Sequence, residues 1–511
     1  MQKKLIIILV GIFLIMVLFG CQAQEEIPLE RIKQDVEFLC NDECNGRLPG
    51  TAGNEHARDY IEKAFEEAGL IPLEGFDSLL IPYEQTVFDM EHQKQILEAV
   101  FPNGNVKTFQ AGTDFFPLQN QAVKDGFSGE VTIDSTDPEL TDKVYLAQSG
   151  IAVSIDAAGV VMETDKGSAL IMNVYSTPVL NCNSKLFEQL EGCSSLSLEG
   201  ETAFQNEMVD NVVGVLPCEG GNAEGALLIT AHFDHVGGYG DTIYRGALDN
   251  ASGVSLMLEV MRQLTDVGNI TKHDIVFIAF NGEDMNLLGS KDLSSRLPYA
   301  TVNVINLDCV GYKEEPTLGV VGENKELQAA VIAALDDELS CVSYDDAPSS
   351  DHNSFEERGI PAITVSNYFG EIDIGDIIHQ TTDVPSILDF KSIAAMVNPI
   401  CQYALTGELI QPKHQDQEQG ENIMKRDWVE IYAKAREEID AVGLSRDQVL
   451  PIQLDGDVFF ARDINFFADV DTAEELISPV KFPEVLGSFQ LVRSASLHGS
   501  YIWMTIEINI M

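Results

Sequence analysis

Basic residues are scarce in this chain of 511: 31 lysines and arginines stand against 82 aspartates and glutamates, for a formal net charge of -51. That imbalance excludes nucleic acid and a bare anionic membrane surface as partners, since both are themselves negative. The acidity reads as a solvated, self-repelling surface. Proline is modest at 19 against 40 glycines, and 45% hydrophobic residues describe ordinary globular material. The sequence shows no internal repeat, no long low-complexity run and no zinc-knuckle spacing of cysteines. Its opening apolar run, Leu5 to Phe19 behind Lys3 and Lys4, is short for a spanning helix, which needs about 20 apolar residues. It reads instead as a targeting segment.

Leu18-Phe19-Gly20-Cys21 resembles the bacterial lipobox, with Phe19 an unusual occupant. Residues 1–21 are therefore expected to be a lipoprotein signal peptide, leaving lipidated Cys21 to tether the chain outside the cytoplasmic membrane. The remaining eight cysteines are an even number in an export-competent protein, so disulfides are permitted, and buried free thiols are equally compatible.

A prior of roughly 100–200 residues per domain suggests two to four units. Helix-rich α/β patterning covers 22–80 and 209–410, and the intervening 81–208 reads as a β-rich inserted domain of short alternating runs. The polar stretch 411–425 reads as a linker. Residues 426–511 read as a small α+β domain, with an amphipathic helix through Trp428, Ile431, Ala435 and Ile439 and alternating strands at Phe489–Leu491 and Ile502–Ile508.

The fold class expected for the main domain is α/β, with a mostly parallel central sheet flanked by helices. Leu227–Ala231, Ile275–Phe280 and Val302–Leu307 are continuous and β-branched-rich, as strands buried on both faces are. His232, Glu283, Asp284 and Asp308 lie at or just beyond their C-terminal ends, where open α/β sheets bind ligands. Asp249 precedes a helical run. Asn250 or Ser252 can cap that helix and leave Asp249 free, and its two oxygens can bridge two cations. His379 follows a glycine-containing loop. Asp234, two residues after His232, suits the role of a carboxylate that orients the imidazole, and His235 ranks below His232 because it falls past the strand end. Each residue alone has an ordinary structural reading; their order together points to a two-metal hydrolase. Carboxylates mixed with two imidazoles suit zinc, with manganese or cobalt as alternatives, and exclude a calcium cage built of oxygens alone.

Taken with Gly46-Arg47-Leu48-Pro49-Gly50-Thr51, Asn211-Val212-Val213-Gly214, Leu287-Leu288-Gly289-Ser290, Ser350-Asp351-His352 and Gly359-Ile360-Pro361, this pattern resembles the co-catalytic zinc exopeptidases over most of 30–405. That group includes secreted bacterial aminopeptidases and glutamate carboxypeptidase II. The resemblance implies two Zn2+ ions, one held by His232 and Asp308, the other by Asp284 and His379, with Asp249 bridging and Glu283 as general base. The insert, with Asp114-Phe115-Phe116-Pro117-Leu118, resembles the protease-associated module of some members. Two departures stand out. Asp284 replaces a usual glutamate, and Ile378 occupies a position where many of these aminopeptidases have tyrosine; Tyr368 or Tyr244 could substitute.

The expected activity is that of an extracytoplasmic aminopeptidase acting on peptides. Acidic residues would anchor a free α-amino group, whereas a carboxypeptidase needs an arginine clamp, for which Arg245 and Arg358 are the candidates. A glutaminyl cyclase on the same scaffold and a non-catalytic binding protein complete the alternatives.

Overall fold

The computed structural model describes residues 28–410 apart from 118–125, 148–156, 164–176, 222, 336–338, 345–348 and 368–376, together with strands between 450 and 508. The expected signal segment, Cys21, the helix through Trp428 and Tyr368 lie outside the described residues. The chain divides into two compact units, 1–413 and 414–511.

The first unit is built on an eight-stranded sheet: β1 (Leu80–Phe88), β2 (Phe204–Leu216), β3 (Ala226–His232), β4 (Asp274–Phe280), β5 (Val302–Leu307), β6 (Leu318–Val321), β7 (Cys341–Tyr344) and β8 (Ala362–Ser366). Its spatial order is β1-β2-β4-β3-β5-β8-β6-β7. The middle four, β4-β3-β5-β8, run parallel, while β1, β2 and β6 supply antiparallel pairings. The fold is thus the expected mixed α/β sheet.

The apolar runs are continuous because both faces are covered. Leu227, Ile229 and Ala231 of β3 face one core, packed by helices over 28–39, Ala52–Glu67, Ser252–Val267, Lys325–Leu335 and Phe390–Thr406. Ala226 and Leu228 face a second core with Leu293 and Phe355. Each buried leucine, isoleucine or phenylalanine among them contributes about 1.5–3 kcal/mol of burial before entropy is counted. Ser252–Val267 is buried along almost its whole first two turns and more, as the central helix of the layer.

A second, seven-stranded sheet comprises strands from Ile96–Val100 to Ser195–Glu199 with its own core around Phe115, Leu146, Val161 and Leu198. The flanking strands β1 and β2 pair with each other along Leu80–Phe88 and belong to the central sheet, so the inserted sheet begins and ends inside the limits read from sequence. All eight described cysteines are free thiols. The second unit holds an antiparallel sheet of Leu450–Leu454, Asp457–Arg462, Asn465–Asp469, Phe489–Val492, Leu497–His498 and Tyr501–Ile508.

Candidate metal centre

Three adjacent parallel strands deliver most of the cluster. His232 is the last residue of β3, paired in register with Phe280 at the end of β4; Glu283 and Asp284 follow Phe280, and Asp308 follows Leu307 at the end of β5. Asp249 sits in the irregular turn Ala247–Ala251 with non-helical torsions, ahead of the buried helix. The Asp249–Asn250 peptide is cis. Asn250, one residue before the N-cap Ala251, serves the helix start: its Oδ1 accepts the Gly253 N–H at 3.0 Å, and its amide donates to the Leu307 carbonyl at 2.9 Å. Asp249 is thereby left free. His379 adopts φ 60° and enters from the loop ahead of the last helix.

Four of these residues converge around the carboxylate of Asp249. Asp249 Oδ1 lies 3.3 Å from His232 Nε2, while Asp249 Oδ2 lies 3.1 Å from His379 Nε2. Asp308 Oδ1 is 3.4 Å from the same His232 nitrogen, and Asp284 Oδ1 is 2.9 Å from the same His379 nitrogen. Two groups of donors share one residue: His232, Asp249 and Asp308 on one side, and His235, Asp249, Asp284 and His379 on the other. Donors held about 2.0–2.2 Å from a tetrahedral ion stand about 3.3–3.6 Å apart; the 3.3 and 3.4 Å spacings around His232 match this, and the 3.1 and 2.9 Å spacings around His379 are tighter. Orphaned atoms agree with the fit: among the described residues Asp284 Oδ2 and both ring nitrogens of His235 are buried without a hydrogen bond.

Electrostatically the groups hold one another's charges. Burial works against a charged His232, but the carboxylates of Glu283, Asp234, Asp249 and Asp308 outweigh it and raise its pKa well above the usual value. His379 is raised in the same way by Asp284 and Asp249. Burial opposes ionisation of Asp249, and the imidazoles of His232 and His379 override it and hold its pKa well down. A cation bound here would displace the imidazole protons and take over their role. Burial pushes the Glu283 carboxyl well up against the pull of His232, and Asp284, Asp308 and Asp351 add to the rise.

A buried scaffold fixes these loops. Arg47 is fully buried and donates to four carbonyls, Phe233 and Leu39 at 2.6 Å, Arg245 at 2.8 Å and Gly246 at 2.9 Å. It therefore ties the segment 232–235 to the approach of Asp249. Asn54 and Asn281 exchange amide hydrogen bonds at 3.0 and 2.9 Å just before Glu283. Asp383 accepts the N–H groups of Leu248 and Asp249 at 2.7 and 3.2 Å. Ser350 donates to Asp308 Oδ2 at 2.7 Å and accepts from Asn306, whose Oδ1 accepts from Thr230. Of these residues the sequence motifs contain Arg47 and Ser350, without assigned roles; polar residues inside apolar strands, Thr230 and Asn306 above all, are the signal the sequence offers.

Asp234 departs from its expected task. Its Oδ1 stands 3.7 Å from His232 Nδ1, beyond hydrogen-bond range, and its two oxygens instead accept the N–H groups of Glu283 and Asp284 at 3.1 and 3.3 Å. It positions the loop that carries the expected base. Tyr244 packs in a separate apolar cluster with Leu48, Phe116 and Tyr239 and hydrogen-bonds Tyr239. Arg245 is spent on the Cys40 carbonyl and Asp42, both at 2.6 Å, and Arg358 donates to Ser294. Ile378 packs at the edge of the main core.

Comparison with known proteins gives the same picture. The sequence profile described as Peptidase family M28 matches residues 211–404. Aminopeptidase YwaD of Bacillus subtilis is 30% identical over 236 residues, covering 43% of this chain and 50% of that protein. Human endoplasmic reticulum metallopeptidase 1 is 32% identical over 141 residues, 27% of this chain and 15% of that one. This chain thus spans half the length of the bacterial relative and far less of the human one. Among solved structures, BSAP, a zinc aminopeptidase from Bacillus subtilis, superposes with a TM-score of 0.54 at 19% identity over 73% of this chain and 94% of its own. A Peptidase M28 precursor from Shewanella amazonensis SB2B gives 0.51 at 15% identity over 76% and 98%. At such identities these two likenesses speak for the fold. Residues 211–404 of this chain are thus similar to peptidase family M28, and the sequence relatives that match it are peptidases.

Proposed function

We propose that this chain is an extracytoplasmic, lipid-anchored metallo-exopeptidase that removes N-terminal residues from peptides. The observation that carries the reading is Asp249, whose two oxygens face two different imidazoles, each with a further carboxylate beside it. One Zn2+ would be held by His232, Asp308 and Asp249, the other by Asp249, Asp284 and His379. When bound, such a pair of ions acidifies water and polarises a scissile carbonyl.

The chain's own residues supply the rest. Glu283 takes a proton from the attacking water on its carboxylate and hands it to the leaving amine. Asp234 holds the Glu283 and Asp284 backbone, so the base and its neighbour move as one. Both arginines that could clamp a terminal carboxylate are engaged elsewhere, which favours a substrate bound through its α-amino group. The extracytoplasmic location and the anchor at Cys21 rest on Lys3-Lys4, the apolar run and Leu18-Phe19-Gly20-Cys21. The inserted sheet is assigned to the protease-associated type on Asp114–Leu118.

The test is mass spectrometry of a mixed peptide pool incubated with soluble residues 22–511, with and without a chelator. Chelator-sensitive ladders shortening from the N-terminus are expected. Shortening from the C-terminus replaces the aminopeptidase with a carboxypeptidase, ammonia loss from N-terminal glutamine replaces it with a cyclase, and an unchanged pool with metal-replete protein leaves only a binding protein.

A further inference from the structure

His235 is the residue of the cluster that the assignment above does not use. It is fully buried, yet among the described residues neither ring nitrogen has a hydrogen bond. Its Nδ1 lies 3.2 Å from Asp284 Oδ2, itself without a hydrogen bond, and 3.8 Å from Asp249 Oδ2. The ring is not there by default. Gly246 lies against it, and a Cβ on Gly246 would stand 2.6 Å from His235 Cδ2 and Cγ. Gly246 also has φ +55°, so its lack of a side chain both permits the turn into Asp249 and clears the space for the imidazole. A buried imidazole whose Nδ1 faces two carboxylates, with a second imidazole 5.4 Å away between ring centroids and no hydrogen bond at either nitrogen, is an arrangement that suits a cation.

We propose that His235 is a direct protein ligand of the ion held by Asp249, Asp284 and His379. The proposal rests on the two-metal reading and extends it. Asp284 is one methylene shorter than glutamate, so its carboxylate reaches less far into the site, and His235 supplies the coordination that the shorter side chain forgoes. The two positions then differ in chemistry. The His232 position has one imidazole and two carboxylates; the His235 position has two imidazoles and two carboxylates, a nitrogen-richer set that favours zinc and its later-row neighbours over manganese.

The experiment uses full-length metal-free protein titrated with Zn2+ against a chromophoric competitor, and separately with Co2+ followed by visible absorption, whose bands report ligand number and type. Wild type is expected to bind two ions. His235→Gln is expected to bind one ion with wild-type affinity and to lose more than about 100-fold at the second, with a changed Co2+ spectrum for that ion alone. His235→Gln with Asp284→Glu is expected to recover the second affinity, because the longer carboxylate restores the reach; this double variant also separates a lost ligand from a damaged fold. Two unchanged affinities and an unchanged Co2+ spectrum in His235→Gln would overturn the proposal and leave the two-metal reading standing. Wild type that takes up fewer than two ions would overturn both.

Discussion

Replacing Arg47 with methionine removes the guanidinium while keeping most of its apolar stem. Four buried carbonyls, those of Leu39, Phe233, Arg245 and Gly246, then lose a charged donor at once. At about 1.5 kcal/mol for each charge-assisted bond the gross loss is about 6 kcal/mol. Releasing a guanidinium that folding had stripped of water returns a part of this, so the net destabilisation should be about 3–4 kcal/mol. Arg47→Lys keeps the charge but has no fork to span four acceptors, and should fall between the two. Urea unfolding of the metal-free proteins measures the stability term, and zinc titration measures the consequence for the site, which should lose affinity at both ions because Arg47 ties the 232–235 segment to the approach of Asp249. A loss below about 1 kcal/mol with unchanged zinc affinity would refute the view of Arg47 as the clamp of the site.

Glu283→Gln should lower peptide hydrolysis by at least about 100-fold while two zinc ions per chain remain by elemental analysis; retained turnover would reassign the base. Asp249→Ala removes the carboxylate shared by both groups of donors and should lower zinc content below two per chain, and unchanged stoichiometry would remove it as a bridge. His352 offers a pH test. Burial lowers its pKa to about 4, and it shares a 2.7 Å hydrogen bond with Thr364. Because the unfolded imidazole titrates near 6.5, the unfolded chain binds the extra proton between the two values, so this contribution is intact above pH ~6.5 and lost as pH falls to about 4. The difference corresponds to about 3 kcal/mol. Urea midpoints measured across that range should fall less steeply for His352→Gln, and parallel curves would exclude His352 as the source.

The sheet was legible because β3, β4 and β5 are buried on both faces, which turns each into an uninterrupted apolar run whose end marks the ligand edge. The convergence of His232 and Asp308 was legible for the same reason: both sit where those runs stop. Asp249 could be separated from a capping role because Asn250 and Ser252 stood beside it. What the sequence concealed was reach. Asp234 stands two residues from His232, yet its oxygens turn to the backbone of the neighbouring strand's loop, a choice made by tertiary packing and not by spacing. His235 ranked low because it lies past the strand end, but the space opened by Gly246, a residue eleven positions away, draws its ring into the cluster. Arg47 read as motif text, and nothing local reveals that three of its four acceptors come from two distant segments. The insert was placed by its alternation, but its outer strands pair into the central sheet, a long-range pairing that composition does not register.

The contacts of the metal centre are nearly all remote along the chain: His232 and Asp308 are 76 residues apart, and Asp284 and His379 are 95. Loop closure of that length must be completed before any such contact is rewarded, and parallel strands joined by helices are the slow way to do it. A newly made chain therefore passes through its early folding without an assembled cation site. Metal capture would then be a closing event on a sheet already formed, and zinc supply should govern how long the finished protein survives more than how fast it arises.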